Sequence, residues 1–267
     1  MKTLKSSSLA YRIPRPQASV RLFCFPYAGG GASLFRAWQQ HLPQNVELCP
    51  VQLPGRETRA MEPAFSRIEP LIEMLCHDLK IYLDLPCIFF GYSMGALIAF
   101  ELTRMLQSIS APIPSHLFLA ARRGPRMPGS SVTGALTDRQ FVDELKCLGG
   151  APEAILQSPE MMEMMLPTLR ADFSLCESYQ YFPGPLLECP IHVFGGSEDL
   201  KIAQPDLAAW AGETRSSFNV KLFEGGHFFL HNSHNAIVST IVSAAFPRPF
   251  SESGDSASIG MRTHMPS

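Results

Sequence analysis

Short apolar runs alternate along this chain with longer segments in which apolar residues recur every three to four positions. Runs of the first kind are typical of buried strands, and the spacing of the second kind is typical of amphipathic helices. Ile68, Leu71, Ile72 and Leu75 illustrate the helical spacing. The alternation predicts an α/β fold in which helices flank both faces of a mostly parallel central sheet. The strand-like runs lie at 20–25, 46–53, 87–90, 116–120, 191–194 and 218–223.

The alternation stops between about 123 and 185, where no strand-like run occurs. The segments 138–145, 152–156 and 159–181 have helical patterns instead. A helical insertion between two strands of a sheet is typical of a lid, so we expect a helical lid here. The sequence leaves open whether the methionines of this insertion form an adaptable apolar surface or pack the lid onto the core. They are Met161, Met162, Met164 and Met165.

Both ends of the chain differ in composition from the part between them. Residues 1–19 are polar and contain Pro14 and Pro16, and residues 247–267 are rich in Ser, Pro and Gly. Segments of this kind bury too little apolar surface to fold. We therefore expect a disordered leader over 1–19, one folded domain over 20–246 and a disordered tail over 247–267.

Composition and charge narrow the possible classes of function. The 267 residues, with 46% hydrophobic and 17% charged side chains, suffice for one large domain. A net charge of −2 provides neither the basic footprint of a nucleic-acid-binding protein nor a polybasic membrane patch. No run approaches the ~18 apolar residues of a transmembrane helix. The N-terminal residues also lack the apolar segment of a signal peptide.

The cysteines argue for a reducing compartment. Their number, seven, is odd, their spacing is scattered, and no C-x-x-C motif occurs. Cysteines of disulfide frameworks and zinc sites usually come in even numbers or in closely spaced pairs. We therefore expect reduced and mostly buried thiols in a cytosolic protein.

Residues 91–95 read Gly-Tyr-Ser-Met-Gly and lie between an apolar strand-like run and an apolar helical run. A strand, a sharp turn and a helix with a serine at the apex form a nucleophile elbow. The two glycines let the strand and the helix approach without Cβ clashes. The helix begins just after Ser93, so its N-terminal N–H groups face any negative charge that develops there. This context favours Ser93 as a nucleophile over a Gly-Ser turn without chemistry.

A serine nucleophile needs a base, and the base needs an acid that orients it. In this architecture the order along the chain is serine, acid, histidine. Among the eight histidines, only His227 follows a strand-like run directly through a Gly-Gly loop, so we predict it as the base. The acid should end the preceding strand, where Glu198 and Asp199 follow another Gly-Gly turn. We prefer Asp199, and expect Glu198 to cap a helix or face water.

Acyl transfer also requires two backbone N–H groups aimed at one point, the oxyanion hole. Met94, directly after the nucleophile, predicts one donor, and the glycine-rich loop after the first strand predicts the other. We assign this second donor to Ala28, with Tyr27 as the alternative. The loop leads into a predicted helix over 33–41 with Ser33 as its N-cap. Phosphate binding by the loop is disfavoured, because neither of the usual glycine-rich phosphate motifs is present.

Five segments in this order resemble the type II thioesterases, stand-alone hydrolases of the α/β-hydrolase superfamily that accompany polyketide synthases and nonribosomal peptide synthetases. The resemblance runs from about 20 to 246 and includes the lid segments 145–152 and 166–173. It implies an α/β-hydrolase fold with a helical lid. Residues 54–57 carry no triad chemistry and look like a structural loop beside the elbow. The five segments are Phe25-Pro-Tyr-Ala-Gly-Gly-Gly-Ala-Ser, Gln52-Leu-Pro-Gly-Arg-Glu, Gly91-Tyr-Ser-Met-Gly-Ala, Gly195-Gly-Ser-Glu-Asp and Gly225-Gly-His-Phe-Phe-Leu.

The resemblance implies a substrate, a task and a partner. The substrate is an acyl group joined by a thioester to the phosphopantetheine arm of an acyl or peptidyl carrier protein, and the task is to clear stalled or wrongly loaded chains. No metal or cofactor of its own is implied, and a cytoplasmic monomer is expected. Three rivals stay open: a medium-chain fatty acyl thioesterase, a general carboxylesterase or lipase, and a silent binding protein. The intact set of Ser93, Asp199 and His227 argues against the last.

The carrier protein would present an acidic surface in this picture. Arg122, Arg123 and Arg126 lie at the entry to the predicted lid and could meet that surface electrostatically. The sequence supports equally well a solvated basic loop without a partner.

Overall fold

Parallel strands form the centre of the computed structural model, which describes residues 8–127, 133–147 and 158–246. The strands are β1 (Val20–Phe25), β2 (Val46–Pro50), β3 (Cys87–Tyr92), β4 (His116–Ala120), β5 (Ile191–Gly196) and β6 (Phe218–Phe223). They form one six-stranded sheet in the order β2-β1-β3-β4-β5-β6, and each neighbouring pair is parallel. The predicted α/β fold with a mostly parallel sheet is confirmed.

Helices cover both faces of this sheet, and alternate strand residues face the two layers. Phe23 and Phe25 belong to a core shared with the first two helices, whereas Leu22 and Cys24 belong to a core shared with the last helix. The α-helices are α1 (Ile68–Leu79), α2 (Met94–Ser108), α3 (Asp138–Cys147), α4 (Pro159–Ser178), α5 (Gln204–Ala208) and α6 (Leu230–Ala245). Short 3-10 helices lie at Ala32–Gln40, Glu57–Arg59, Lys80–Tyr82 and Ala209–Glu213.

Helices α3 and α4 form the insertion between β4 and β5. They bury a small apolar cluster of their own, separate from the two sheet cores, and it consists of Phe141, Leu145, Met162 and Leu169. Helix α4 ends at Ser178 rather than at 181, and the helix predicted over 152–156 lies outside the described residues.

The predicted leader is ordered from residue 8 onwards. Leu9 is buried and forms an isolated antiparallel bridge with Val51, just beyond the end of β2 at Pro50. Arg15 donates hydrogen bonds to the backbone carbonyl of Pro43, in the loop before β2, and to that of Val46, the first residue of β2. The expectation of disorder was therefore wrong for 8–19. The segment is polar, but the buried side chain of Leu9 and the hydrogen bonds of Arg15 hold it against the domain. The rest of the predicted leader and the predicted tail lie outside the described residues.

The helix predicted after the glycine-rich loop differs in type and in cap. It is a 3-10 helix over Ala32–Gln40 that begins after Gly31, and not an α-helix that begins at Ser33. The Ser33 hydroxyl donates to the Glu57 carboxylate instead of capping the helix. Ser33 does not occupy the cap position, because the N-cap is Gly31 and Ser33 lies in the first turn of the helix. Its hydroxyl donates to a charged acceptor instead.

Two expectations about the whole chain can be compared with the described residues. Six cysteines are free thiols, four of them buried, and the side chain of Cys147 lies outside the description. Within the same residues, no helix combines the length and the apolar character needed to cross a bilayer.

The strand order reverses between β1 and β3, since β2 lies on one side of β1 and β3 to β6 follow on the other. In open parallel sheets, ligands bind at the carboxyl ends of the strands next to such a reversal. The loops that leave β1 and β3 carry Ala28 and Ser93, and those that leave β5 and β6 carry Asp199 and His227. The topology therefore gathers the predicted site residues at one edge of the sheet.

Candidate active site

Ser93 lies in the sharp turn between β3 and α2, with a backbone φ of 53° and ψ of −110°. A positive φ is strained for a residue with a side chain and persists only where the surroundings enforce it. Here a Cβ on Gly91 would lie 2.2 Å from the carbonyl oxygen of Gly95, and one on Gly95 would lie 2.1 Å from that of Phe25. Strand, helix and β1 are thus in backbone contact, which is the packing that a nucleophile elbow needs.

His227 lies on the loop after β6, and backbone contacts fix that loop as well. Gly225 has a φ of 113°, which favours glycine, and a Cβ on Gly196 would lie 2.4 Å from the carbonyl oxygens of Gly225 and Gly226. The hydroxyl of Tyr92 donates to the carbonyl of His227 and so ties the loop to the elbow. The sequence analysis missed this tyrosine, although a buried tyrosine usually finds a partner for its hydroxyl.

The side chains of Ser93, His227 and Asp199 form a hydrogen-bonded line. Nδ1 of His227 is 2.8 Å from Oδ2 of Asp199, and Nε2 is 3.3 Å from Oγ of Ser93. An ionised carboxylate can only accept, so Nδ1 carries the proton and Nε2 is left to accept from the serine hydroxyl. Such bonds are often long in resting sites and shorten with substrate. The arrangement can therefore pass a proton from Ser93 to His227.

The environment of Asp199 keeps its carboxylate charged. Its side chain is only 2% exposed. Burial by itself raises the pKa of this carboxyl, but hydrogen bonds from His227 and from the amides of Lys201 and Ile202 outweigh burial, so the pKa lies below its ordinary value. Glu198, the alternative acid, is exposed to solvent. Of the two candidate acids, Asp199 is the one that contacts the histidine.

Two amides of the loop after β1 are occupied by hydrogen bonds, one within the loop and one to helix α4. The N–H of Gly30 donates to the carbonyl of Tyr27 at 2.9 Å, and the N–H of Gly29 donates to the carboxylate of Asp172 at 2.7 Å. Both bonds involve amides that the oxyanion-hole prediction did not select. Ala28, the predicted donor of this loop, and Tyr27, its alternative, precede these fixed amides directly.

Met94, the other predicted donor, is the first residue of α2, where helical N–H groups have no intrahelical acceptor. The close contact of Gly95 with the carbonyl of Phe25 brings this end of α2 against the end of β1. The N-terminus of the helix and the loop that carries Ala28 therefore lie side by side at the edge of the sheet.

A thioesterase domain family model matches residues 20–244. The chain belongs to the thioesterase family. It is 44% identical over 217 residues to the gramicidin S biosynthesis protein GrsT of Aneurinibacillus migulanus, an alignment that covers 81% of this chain and 85% of that protein. It is 33% identical over 229 residues to the medium-chain S-acyl fatty acid synthase thioesterase of Homo sapiens, with 82% and 84% covered.

Among solved structures, the type II thioesterase BorB from the borrelidin biosynthetic cluster matches this thioesterase with a TM-score of 0.80 at 35% identity. The match covers 87% of this chain and 95% of that one. The resemblance to type II thioesterases that the motifs suggested is confirmed.

The lid methionines of this thioesterase divide between the two expected roles. Met162 is buried in the small cluster of the lid, whereas Met161 is 44% and Met164 is 73% exposed. A cavity of about 750 Å³ lies between α4, the glycine-rich loop and the segment 55–64, and Met161, Met164 and Met165 line one of its walls. Packing therefore explains Met162, and an adaptable apolar surface fits the exposed methionines.

The arginines at the entry to the lid are bonded within the protein. Arg122 donates to the sulfur of Cys176 at 3.5 Å, and Arg123 donates to a backbone carbonyl after β5 at 3.0 Å. Arg126 pairs with Glu213 at 2.7 Å while its side chain stays 52% exposed. These arginines are therefore partly solvated and also bonded within the protein, and a role in carrier docking stays a prediction.

A second contact that the sequence analysis missed joins two of the family-like segments. Arg56 lies in 52–57 and Asp172 in 166–173, and their side chains form two hydrogen bonds of 2.7 and 2.8 Å. The two side chains are 7% and 2% exposed. Nothing in the sequence indicated this pairing, because each segment contains one positive and one negative side chain: Arg56 and Glu57 in the first, Arg170 and Asp172 in the second.

Proposed function

We propose that this thioesterase hydrolyses acyl thioesters on the phosphopantetheine arm of acyl or peptidyl carrier proteins and so clears stalled or wrongly loaded chains from polyketide and nonribosomal peptide synthases. The observation that carries the proposal is the hydrogen-bonded line of Ser93, His227 and Asp199 within a thioesterase fold. Its likeness to a gramicidin S biosynthesis protein and to a type II thioesterase supports a biosynthetic substrate.

In the first step, Oγ of Ser93 attacks the thioester carbonyl carbon while Nε2 of His227 takes the hydroxyl proton. Asp199 holds the imidazole in the required tautomer and stabilises its charged form. The N–H groups of Ala28 and Met94 stabilise the tetrahedral oxyanion. The carbon–sulfur bond then breaks, the pantetheine sulfur leaves with the proton from His227, and an ester on Ser93 remains.

In the second step, His227 takes a proton from a water molecule, which attacks the acyl ester. The same two amides stabilise the second oxyanion. The bond to Oγ of Ser93 breaks, Oγ regains its proton from His227, and the free carboxylic acid leaves. The cycle uses only side chains, backbone amides and water, so the proposal includes no cofactor.

The partner in this proposal is a carrier protein, and the setting is the cytoplasm, where such synthases work. The proposal includes a monomer, because the line of three side chains needs no residue from a second subunit. Release of medium-chain fatty acids is the second candidate, and the 33% identity to the human medium-chain thioesterase favours it over a general esterase.

The test is hydrolysis of one acyl group presented in two ways, on a phosphopantetheinylated carrier protein and as a simple oxygen ester. The expected result is a clear preference for the carrier thioester. Equal or faster turnover of the oxygen ester would overturn the carrier-directed function, and preference for medium-chain acyl groups on any carrier would favour the second candidate.

The nucleophile is tested in the same assay with a matched pair of serine variants. Ser93→Ala should lower kcat by at least about 10⁴-fold, because no covalent intermediate can form. Ser108→Ala, an exposed serine at the far end of α2, should leave kcat unchanged. Retention of substantial thioesterase activity in Ser93→Ala would contradict the assignment of the nucleophile.

A further inference from the structure

The carboxylate of Asp172, on the lid helix α4, is almost completely buried, and both of its oxygens accept hydrogen bonds. Its side chain is 2% exposed. It accepts two hydrogen bonds from the guanidinium of Arg56, at 2.7 and 2.8 Å, and a third from the backbone N–H of Gly29, at 2.7 Å. A buried charge of this kind is tolerated only with such complete pairing. The carboxylate therefore joins three segments that are distant in sequence.

One of these segments is the loop that carries the proposed oxyanion donor. Gly29 follows Ala28 directly, so the bond from its N–H to Asp172 sets the orientation of the peptide next to the donor. Arg56 also reaches the carbonyl of Gly30, at 3.4 Å, and the N–H of Gly30 closes back onto the carbonyl before Ala28. The loop is thus held on the C-terminal side of Ala28 by both members of the ion pair.

Arg56 is itself held in place by the segment to which it belongs. Its Nε donates to the carbonyl of Pro54 at 3.2 Å, and its own carbonyl accepts from the side chain of Gln52 at 3.0 Å. The same Gln52 accepts from the N–H of Ala32, at the other end of the glycine-rich loop, at 3.1 Å. The segment after β2 is therefore held by its own hydrogen bonds and also contacts the glycine-rich loop.

We propose that Arg56 and Asp172 are positioning residues that aim the N–H of Ala28 at the oxyanion. Since Asp172 belongs to α4, the oxyanion hole is complete only while this lid helix is docked. The lid thus takes part in transition-state stabilisation as well as enclosing the substrate. This inference rests on the proposed hydrolase function and gives the Pro-Gly-Arg segment, which has no triad chemistry, a role in it.

Breaking a purely structural ion pair should have different effects from breaking a positioning pair. Breaking a buried pair usually destabilises a protein, wherever the pair lies. A positioning pair should in addition lower kcat and kcat/KM by the same factor, because it acts on an interaction made only in the transition state. It should also weaken the binding of an inhibitor that forms a tetrahedral oxyanion on Ser93.

The experiment compares Asp172→Asn with wild type on an acyl carrier protein and with an acyl trifluoromethyl ketone as the oxyanion-forming inhibitor. The asparagine side chain has the shape of aspartate, but its amide NH₂ group would face the guanidinium of Arg56 or the N–H of Gly29, which are also donors. We expect kcat to fall about 10- to 100-fold and KM to change less than about threefold. The fall in kcat should be smaller than the roughly 10³-fold maximum seen when an oxyanion donor itself is removed. Inhibitor affinity should fall by the same factor as kcat/KM.

The matched control is Glu47→Gln, which removes a buried carboxylate of similar exposure, 3%, paired with Arg12 and Arg21 near the start of β2, at the opposite edge of the sheet. It should lower the unfolding temperature and leave kcat and inhibitor affinity unchanged. If Asp172→Asn does not fold, Arg56→Lys is the second variant, because it keeps the positive charge but loses the bidentate hydrogen bond to Asp172. It should lower kcat and inhibitor affinity together, by smaller factors.

An Asp172→Asn or Arg56→Lys enzyme with lowered thermal stability but wild-type kcat and inhibitor affinity would overturn the positioning role. That outcome differs from failure of the proposed function, in which the wild-type enzyme would turn over the oxygen ester at least as fast as the carrier thioester, or Ser93→Ala would stay active. The two proposals can therefore fail separately in one set of assays.

Discussion

The sheet edge that carries Ser93 and the lid helix that packs against the loops beside it are held together in different ways. At the edge, backbone meets backbone, since added Cβ atoms on Gly91 and Gly95 would lie 2.2 and 2.1 Å from carbonyl oxygens. In the lid, side chains make the contacts: Asp172 pairs with Arg56, and Thr168 donates to a backbone carbonyl at 2.6 Å. Backbone contact admits only glycine, whereas side-chain contacts can be adjusted without changing the fold. The edge is therefore fixed, and the lid is the part that can be tuned.

After that of Ser93→Ala, the largest effect should follow from removing the acid of the polar line at the fixed edge. Asp199→Asn should lower kcat about 10³- to 10⁴-fold, because the imidazole loses the acceptor that selects its tautomer. Steady-state hydrolysis of an acyl carrier protein measures it. Glu198→Gln, at the exposed neighbouring carboxylate, should stay within about twofold of wild type. A greater loss in the Glu198 variant would reverse the assignment of the acid.

The next effect is on the unfolding free energy, and it should differ between a glycine at the sheet edge and one in the insertion. Gly95→Ala should lower the free energy of unfolding by about 3 kcal/mol, because its methyl group would meet the carbonyls of Phe25 and Pro26 and push β1 from α2. Gly134→Ala, with no atom within 4 Å of the added carbon, should stay within about 0.5 kcal/mol. Urea unfolding measures both, and similar losses in the two variants would refute the backbone-contact argument.

This difference also explains which parts of the molecule could be predicted from the sequence. Glycines on both sides of Ser93, and the Gly-Gly turns before Asp199 and His227, are direct signs of backbone constraints, and local sequence displays such constraints. The positions of the strands followed from short apolar runs, because the sheet is parallel and buried on both faces. These features specified the fold and the members of the candidate site.

Contacts between distant side chains were not predictable in the same way. Nothing local in the sequence joins Arg56 to Asp172, which lie 116 positions apart, or Tyr92 to the carbonyl of His227, 135 positions away. The order of the segment around Leu9 was missed for the same reason, since its partner is Val51 on another segment. Such pairs are specified by the finished tertiary structure.

A smaller effect distinguishes two methionines within the lid. Met162→Ala should cost about 2 kcal/mol of unfolding free energy, because the side chain is 6% exposed and packs in the cluster with Phe141 and Leu145. Met164→Ala, at 73% exposure, should cost less than about 0.5 kcal/mol. Thermal or urea unfolding measures the pair. Equal losses would show that the exposed methionine also packs the lid onto the domain.

The smallest effect should be the pH dependence of the unfolding free energy, which tests the Asp199 carboxylate at the fixed edge. The pKa of Asp199 lies below its ordinary value of 3.8, so its ionised form stabilises the fold above that value and the contribution is lost as pH falls through the folded-state pKa. The difference in unfolding free energy between wild type and Asp199→Asn should therefore move against the wild type between about pH 5 and pH 3. Urea unfolding across this window measures the difference. A difference that stays constant would mean that the carboxylate has the same pKa in the folded and unfolded chain, and that its bonds to His227 and the two amides only balance the cost of burial.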